Sequence, residues 1–356
     1  MSSKVCLLFP FDMGLELDFT GKDTTEFFKE ISARKMGTIS FEGRIFPQAE
    51  FSTQVYKFGV GIIQISFEVE EDLKYLASLS CNIEKIRAGK TGIITYCQSL
   101  VDGLIQRALK YSIHSYEKRL TEGEIFPIVE LKEQVTEDAE TYIWKNHKAL
   151  FGFLAGEPDY DSLSNYVLEK EKLVNYGYYE KEIILIKRFG ALVYSREASS
   201  ILEMIKLAYA QYWSMRSYNF ILDHEMDVSQ QLLENLPPYY KFWQILQAYQ
   251  TFSEEALGFD KDKISIVDSL YNVITSIPKV ESDWHLRTVF QNVNKVFNTE
   301  ELHKTVEVKI ERIEQSYNSA REFLSNNFFI LLDIIFFLSL VWSIIDTFLL
   351  WKLSVK

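Results

Sequence analysis

Apolar residues in the first third of the chain follow the pattern of strands. Hydrophobic and polar residues alternate along 63–69, which is typical of a strand with one face in a core. Runs rich in β-branched and aromatic residues at 5–9, 37–41 and 125–131 also predict strands. The last run contains Pro127, which lacks a backbone donor, so we expect that strand at a sheet edge. Helical patterns lie between these runs, so this part predicts a mixed α/β sheet region.

Beyond residue 196 the apolar spacing changes to the three- and four-residue steps of amphipathic helices. One helical pattern runs from 197 to 236 and stops at Pro237 and Pro238. Further helical stretches follow, with predicted breaks at Gly258, Pro278 and Asn298: 239–259, 265–277 and 284–297. With a strand–helix unit that begins near 182, this part predicts a largely helical region.

Residues 300–327 predict a long amphipathic helix. Apolar or small residues recur at steps of 4, 3, 4, 3 and 4, which is a heptad seam: Val306, Ile310, Ile313, Tyr317, Ala320 and Leu324. Charged residues such as Glu307 and Arg312 surround this seam. The seam predicts either coiled-coil self-association in a homo-oligomer or packing against the chain's own domain, and the residues favour neither.

The stretch 328–351 is the most apolar part of the chain, and its only charges are Asp333 and Asp346. A helix of this length spans about 36 Å, which exceeds a hydrocarbon core of about 30 Å. Trp351 followed by Lys352 is the aromatic and basic flank expected at a membrane interface. We therefore predict one transmembrane helix over 328–351.

The topology expected from these features is single-pass and tail-anchored. No second stretch is as long and apolar, and the first residues do not resemble a signal peptide. Basic residues are slightly more frequent before the apolar stretch, at Lys309, Arg312 and Arg321, than after it. The large N-terminal part is accordingly expected on the cytoplasmic side, or on the matrix side of an organelle.

The two membrane carboxylates, Asp333 and Asp346, need an explanation because a charge in lipid is costly. Each lies about five residues from an end of the apolar stretch, and thirteen residues separate them, which places them on different helix faces. Placement at the interface or pairing between subunits is favoured over a proton or ion path.

Composition narrows the classes of protein to which this chain can belong. Lys and Arg total 38 against 50 Asp and Glu, and a net charge of −12 argues against a nucleic-acid-binding protein. The tail from 328 onward contains two Asp and two Lys, so all the excess negative charge precedes it. Three cysteines are too few for a disulfide scaffold. The mean hydropathy of −0.07 hides this contrast between an acidic body and an apolar tail.

Candidate chemistry is sparse. Asp223 and Asp227 are four residues apart in a helical pattern and could share a divalent cation, but a solvated acidic face is the favoured explanation. No catalytic residue and no cofactor is predicted. The histidines and cysteines do not have the spacing of a zinc site.

The order of segments resembles a known family. It comprises an aromatic-Gly strand at 58–63, a helix with Leu-Ala-Tyr-Ala-Gln at 207–211, and Val-Glu-Val at 306–308 before a membrane segment. This order is similar to the required-for-meiotic-nuclear-division and Sad1-interacting-factor family of membrane-anchored proteins, whose biochemical activity is unknown. The family's Leu-Asn-x-Arg-Leu run is Lys-Ile-Glu-Arg-Ile at 309–313 here, without the Asn. The resemblance implies an oligomeric, membrane-anchored protein, with mitochondrial members linked to translation and no catalytic residues to transfer.

The sequence thus predicts an α+β protein in four segments. These are an α/β region, a second strand–helix unit with a helical region, a juxtamembrane amphipathic helix and a transmembrane helix: 1–136, 137–299, 300–327 and 328–351. The function expected is an oligomeric scaffold or tether. Its expected partners are the lipid bilayer and further copies of the chain; a different protein partner is an open alternative, and no nucleic acid is expected. The alternatives are a metal-dependent enzyme with a scattered site and an oligomeric transport or pore component that uses Asp333 and Asp346.

Overall fold

The computed structural model describes residues 2–132, 137–237, 241–275 and 283–354. Its contacts group the chain into two compact units. The first unit comprises Met1–Ile221 and Ser265–Lys304, and the second comprises Leu222–Ile264 and Thr305–Lys356.

A mixed sheet of nine strands forms the base of the first unit, in the order β10-β11-β9-β1-β5-β4-β3-β6-β7. Strands β11 and β9 are parallel, and the other neighbours are antiparallel. Strands β2 and β8 form a separate two-stranded ribbon. The strands are β1 Ser2–Asp12, β2 Leu15–Leu17, β3 Lys35–Phe41, β4 Arg44–Val55, β5 Val60–Glu70, β6 Arg87–Ala88, β7 Thr91–Gly92, β8 Ser112–Ser115, β9 Phe126–Leu131, β10 Ile183–Lys187 and β11 Gly190–Tyr194.

Shorter helices accompany the sheet and long helices follow it. They are α1 Lys22–Ser32, α2 Leu73–Cys81, α3 Ile93–Ala108, α4 Ala139–Lys145, α5 His147–Ala155, α6 Asn165–Lys170, α7 Ala198–Glu234, α8 Phe242–Thr275, α9 Trp284–Val296 and α10 Thr299–Ser354. The α+β class, with a mixed sheet first and helices after it, is confirmed.

Helices cover both faces of the sheet in the first unit. Alternate residues of β1, such as Leu7 and Phe9, are buried in one apolar cluster with residues of α3 and α5. On the opposite face, Phe126 of β9 packs against Tyr209 of α7, with 4.9 Å between the ring centroids. A hydrogen bond of 3.2 Å joins Lys206 Nζ of α7 to the side chain of Gln64 on β5.

The expected edge position of the strand with Pro127 is wrong, because β9 lies between β1 and β11. The parallel ladder from β11 pairs Ala191–Val193 with Ile128–Glu130 and stops short of Pro127. The missing proline donor is therefore tolerated inside the sheet.

The described parts of the long helices agree with the predicted patterns except at Gly258, and the predicted break at Pro278 lies outside the described residues. Helix α8 is continuous through Gly258, where the sequence predicts a break. Glycine costs a helix only about 1 kcal/mol, and burial of the adjacent Phe259 outweighs this cost. Asn298 does separate α9 from α10, with a left-handed φ of 51°.

The second unit consists of the end of α7, the first part of α8 and most of α10. Phe252 and Phe259 of α8 contact the ring of Tyr317 on α10, with centroid separations of 5.7 and 5.3 Å. Lys263, later in α8, pairs with Glu314, earlier in α10. Within this unit α8 and α10 therefore run in opposite directions.

Candidate membrane anchor

The C-terminal half of α10 is apolar on all sides and exposed. Phe336 and Trp342 are 71% and 73% exposed, and the other described residues cover none of the most apolar stretch. A helix that is hydrophobic all round belongs in a protein core or in a membrane, and this one is not in a core. Among the described residues, α10 is the one helix long and apolar enough to span a membrane.

The two carboxylates of this segment, Asp333 and Asp346, are both exposed on α10. At 100° per residue they point about 140° apart, as expected from their spacing. Their placement at the interface or in pairs between subunits stays a prediction.

The N-terminal half of α10 differs from the rest because its seam is buried. The six seam residues are between 0% and 7% exposed: Val306, Ile310, Ile313, Tyr317, Ala320 and Leu324. Tyr317 lies against Phe252 and Phe259 of the same chain. The structure thus describes the seam docked on the chain's own helices, and its use between copies would require those helices to separate first.

The seam of α10 changes from buried to exposed after Asn327. Asn327 continues the seam and is 9% exposed, whereas the next seam positions are the half-buried Leu331 and Ile334, which is 54% exposed. The Nδ2 atom of Asn327 is buried without a hydrogen-bond partner in the structure. This boundary coincides with the predicted start of the membrane segment.

Ion pairs flank the seam. Lys309 of α10 donates to the Asp223 carboxylate of α7, and Lys263 of α8 donates to Glu314. The Lys309 side chain is only 15% exposed. These contacts fix how α10 sits on the helices of its own unit.

The proposed metal ligands have a simpler role in this arrangement. Asp223 and Asp227 lie four residues apart on α7, and Asp223 is the partner of Lys309. Within the described ranges, no three His, Cys, Asp or Glu residues are grouped so that they could hold a metal ion. A shared cation at the two aspartates stays a prediction.

The first unit contains buried carboxylates that the sequence did not indicate. Asp12, at the end of β1, accepts hydrogen bonds from the backbone N–H of Gly14 at 2.8 Å and of Leu120 at 2.9 Å. Burial disfavours the ionised form and raises the pKa of Asp12 to about 6, although both hydrogen bonds act in the opposite direction.

A second carboxylate, Glu16, lies nearby on β2. Its Oε1 accepts hydrogen bonds from the hydroxyls of Tyr116 at 2.9 Å and Tyr218 at 3.3 Å. Burial raises the pKa of Glu16 to about 7. Gly59 has a left-handed φ of 71°, and a Cβ there would lie 3.3 Å from Glu16 Oε1. Both carboxyls therefore have a pKa above the ordinary range inside the first unit.

No local pattern predicts this cluster, because its members come from residues 12–16, 116 and 218. The signal available was one acidic residue at the end of an apolar strand, Asp12, and a second four residues later, Glu16, which is an unusual place for carboxylates.

This chain matches no protein-family model, no curated protein and no solved structure.

Proposed function

We propose that this chain is a single-pass membrane protein, anchored by α10 over residues 328–351, that acts as an oligomeric scaffold or tether. One observation carries the proposal: α10 is buried along one stripe up to Asn327 and is exposed and apolar on all sides beyond it. An apolar surface of this size is unfavourable in water and favourable in the hydrocarbon core of a bilayer.

Charge supports the same role. The chain carries −12, while residues 328–356 contribute two Asp and two Lys, hence zero. The body is therefore acidic, and anionic lipid would repel it rather than hold it flat on the surface. We place this body on the cytoplasmic side, or on the matrix side of an organelle.

The order of segments along the chain also suggests a family. A sheet region, a helical region and a membrane helix succeed one another, as in the required-for-meiotic-nuclear-division and Sad1-interacting-factor proteins. Membership in that family is our proposal, and it agrees with a scaffold role without catalytic residues.

The experiment compares the full chain with a chain lacking 328–356, each expressed in cells and extracted from membranes with alkaline carbonate. The full chain should stay in the membrane pellet, and the shortened chain should be soluble. Protease added to sealed vesicles should digest a tag at the N-terminus if the body faces the cytoplasm, and should spare it on the matrix side. A full chain that carbonate releases would contradict the anchor.

A further inference from the structure

The start of α8 lies level with the start of the anchor on α10. Phe252 and Phe259 both contact the Tyr317 ring, so Tyr317 is level with the α8 residues midway between them. The two helices run in opposite directions, and each rises about 1.5 Å per residue. Phe328, eleven residues beyond Tyr317 on α10, is therefore level with about residue 245 of α8. Two helices of the second unit thus reach the level at which the anchor begins.

Both helices lose their charged residues near this level. In α8, residues 242–253 contain no Asp, Glu, Lys or Arg, whereas six of the ten residues 254–263 are charged. In α10, residues 323–332 contain none of these residue types either. Residue 323 is level with about residue 250 of α8, so the uncharged parts of the two helices overlap and adjoin the anchor.

Large apolar side chains are exposed on both helices at this level. Leu246 and Tyr249 of α8 are 51% and 44% exposed, and Phe323 of α10 is 39% exposed. Along the axis they precede Phe328 by about 2 to 8 Å. The polar layer of a bilayer extends about 5–7 Å beyond its hydrocarbon core, so lipid that surrounds the anchor also meets these side chains. Tyrosine is enriched in this layer, where its ring contacts lipid and its hydroxyl contacts water.

A basic residue directly precedes α8. The carbonyl oxygen of Lys241 accepts hydrogen bonds from the backbone N–H of Gln244 at 2.9 Å and of Ile245 at 3.1 Å, so Lys241 is fixed at the first turn. Lys241 is exposed, and it lies about 5 Å beyond Phe328 along the axis. A lysine at this depth extends its ammonium group back to the lipid phosphates.

Two further exposed apolar residues of α8 lie too far from the anchor to meet lipid. Leu257 and Ile264 are 57% and 63% exposed, with four charged residues between them in the sequence. They precede Phe328 by about 19 and 29 Å along the axis. One helix therefore presents exposed apolar side chains both within reach of a bilayer and well beyond it.

We propose that the start of α8 is a second membrane contact, with Lys241, Leu246 and Tyr249 in the polar layer of the bilayer beside the anchor. This inference rests on the proposed anchor. The contact surface is continuous with the apolar surface of α10 beyond Asn327 and ends where charged residues begin, and this composition fits lipid as its partner. Helix α10 alone spans the bilayer, and the contact from α8 limits how far it can tilt.

Quenching of fluorescence by spin-labelled lipid tests the depth of each position. The full chain carries one NBD fluorophore on an introduced cysteine, in phosphatidylcholine vesicles that contain lipid spin-labelled at the headgroup. Fluorescence at Leu246→Cys and Tyr249→Cys should fall at least about twofold, because both positions lie within the polar layer. Leu257→Cys and Ile264→Cys, exposed on the same helix, are the matched controls and should not be quenched. The wild-type chain measures labelling of the three native cysteines.

A fluorophore at Trp342→Cys separates this proposal from the anchor, and lipid spin-labelled in its acyl chain should quench it. Quenching at 342 without quenching at 246 and 249 would overturn the second contact and leave the anchor intact, whereas no quenching at 342 would overturn both. Equal quenching at all four α8 positions would also overturn the second contact. So would protection of 246 and 249 from aqueous iodide without quenching by lipid, which would indicate a protein partner. Circular dichroism of each variant should match the wild type, since these side chains are exposed.

Discussion

The two units differ in what they bury. In the first unit, three charged side chains are less than a tenth exposed, namely Asp12, Glu182 and Lys206. Each has close polar partners, such as the Glu203 carboxylate at 2.6 Å from Lys206 Nζ. In the second unit, the buried polar side chains of the described residues are Ser229 and Asn327, and both are uncharged.

This difference separates two ways of stabilising a fold. A buried charge must keep its hydrogen bonds, so the first unit is specific in geometry and sensitive to pH. The second unit depends on apolar contact, with protein along the seam and, in our proposal, with lipid beyond Asn327. Mutations and changes in pH should therefore affect the stability of the two units differently.

The largest expected effect is loss of packing at the seam. Ile313→Ala should lower the free energy of unfolding of the second unit by about 2–5 kcal/mol, because Ile313 is fully buried. Ile334→Ala, on the exposed half of the same helix, should change it by less than about 0.5 kcal/mol. Hydrogen exchange of the amides at 305–324, recorded in detergent, measures the change in free energy for both variants. Equal effects at the two sites would remove the distinction between the halves of α10.

A charge in the middle of the anchor should act on insertion instead. Leu338→Arg should disfavour membrane insertion by about 3 kcal/mol. The inserted fraction after translation with microsomal vesicles reports this change. Glu322→Arg, exposed on the half of α10 before the anchor, is the matched control and should insert as wild type. Insertion unaffected by Leu338→Arg would show that 328–351 is not the spanning segment.

The buried carboxylates should make the first unit less stable as pH rises. Glu16 has its pKa raised from 4.5 to about 7 in the folded state, so folded protein keeps a proton that unfolded protein has lost. The free energy of unfolding should therefore fall between pH 4.5 and 7, by up to about 1.4 kcal/mol per pH unit, and level off above. Asp12 adds the same effect between its ordinary pKa of 3.8 and about 6.

Glu16→Gln should remove most of this slope between pH 6 and 7, above the pKa of Asp12. Denaturant unfolding at a series of pH values measures the slope, and Glu300→Gln, at an exposed position, is the control. A slope that Glu16→Gln leaves intact would place the titrating group elsewhere.

The smallest effect is expected at the ion pair beside the seam. Asp223→Asn should destabilise the second unit by about 0.5–1 kcal/mol through the lost contact with Lys309, and less at high salt. Asp227→Asn should have no measurable effect on thermal unfolding. A stabilisation by Mn²⁺ that either substitution abolishes would instead favour the metal site.

The sequence predicted the features that depend on a local pattern. The apolar run at 328–351 predicted the exposed apolar half of α10, and the heptad spacing predicted the stripe that is buried before it. The predictions of a sheet edge at Pro127 and of a helix break at Gly258 were wrong, because the preferences of single residues are weak compared with packing. Pro127 is tolerated inside the sheet because the ladder from β11 stops short of it, and Gly258 is tolerated inside α8 beside the buried Phe259.

The buried carboxylates could not be predicted in this way. Glu16 meets Tyr116 and Tyr218 only after the chain has folded.

Single-site spin labelling along α10 tests the central claim most directly. Labels placed one at a time from 305 to 350 in lipid vesicles report collision with oxygen, which dissolves in lipid, and with a polar nickel complex, which does not. The account predicts nickel accessibility that oscillates with a helical period up to residue 327, and high oxygen with low nickel accessibility on all sides from about 331 to 348. A helical oscillation of nickel accessibility that continues through 348 would contradict the membrane anchor.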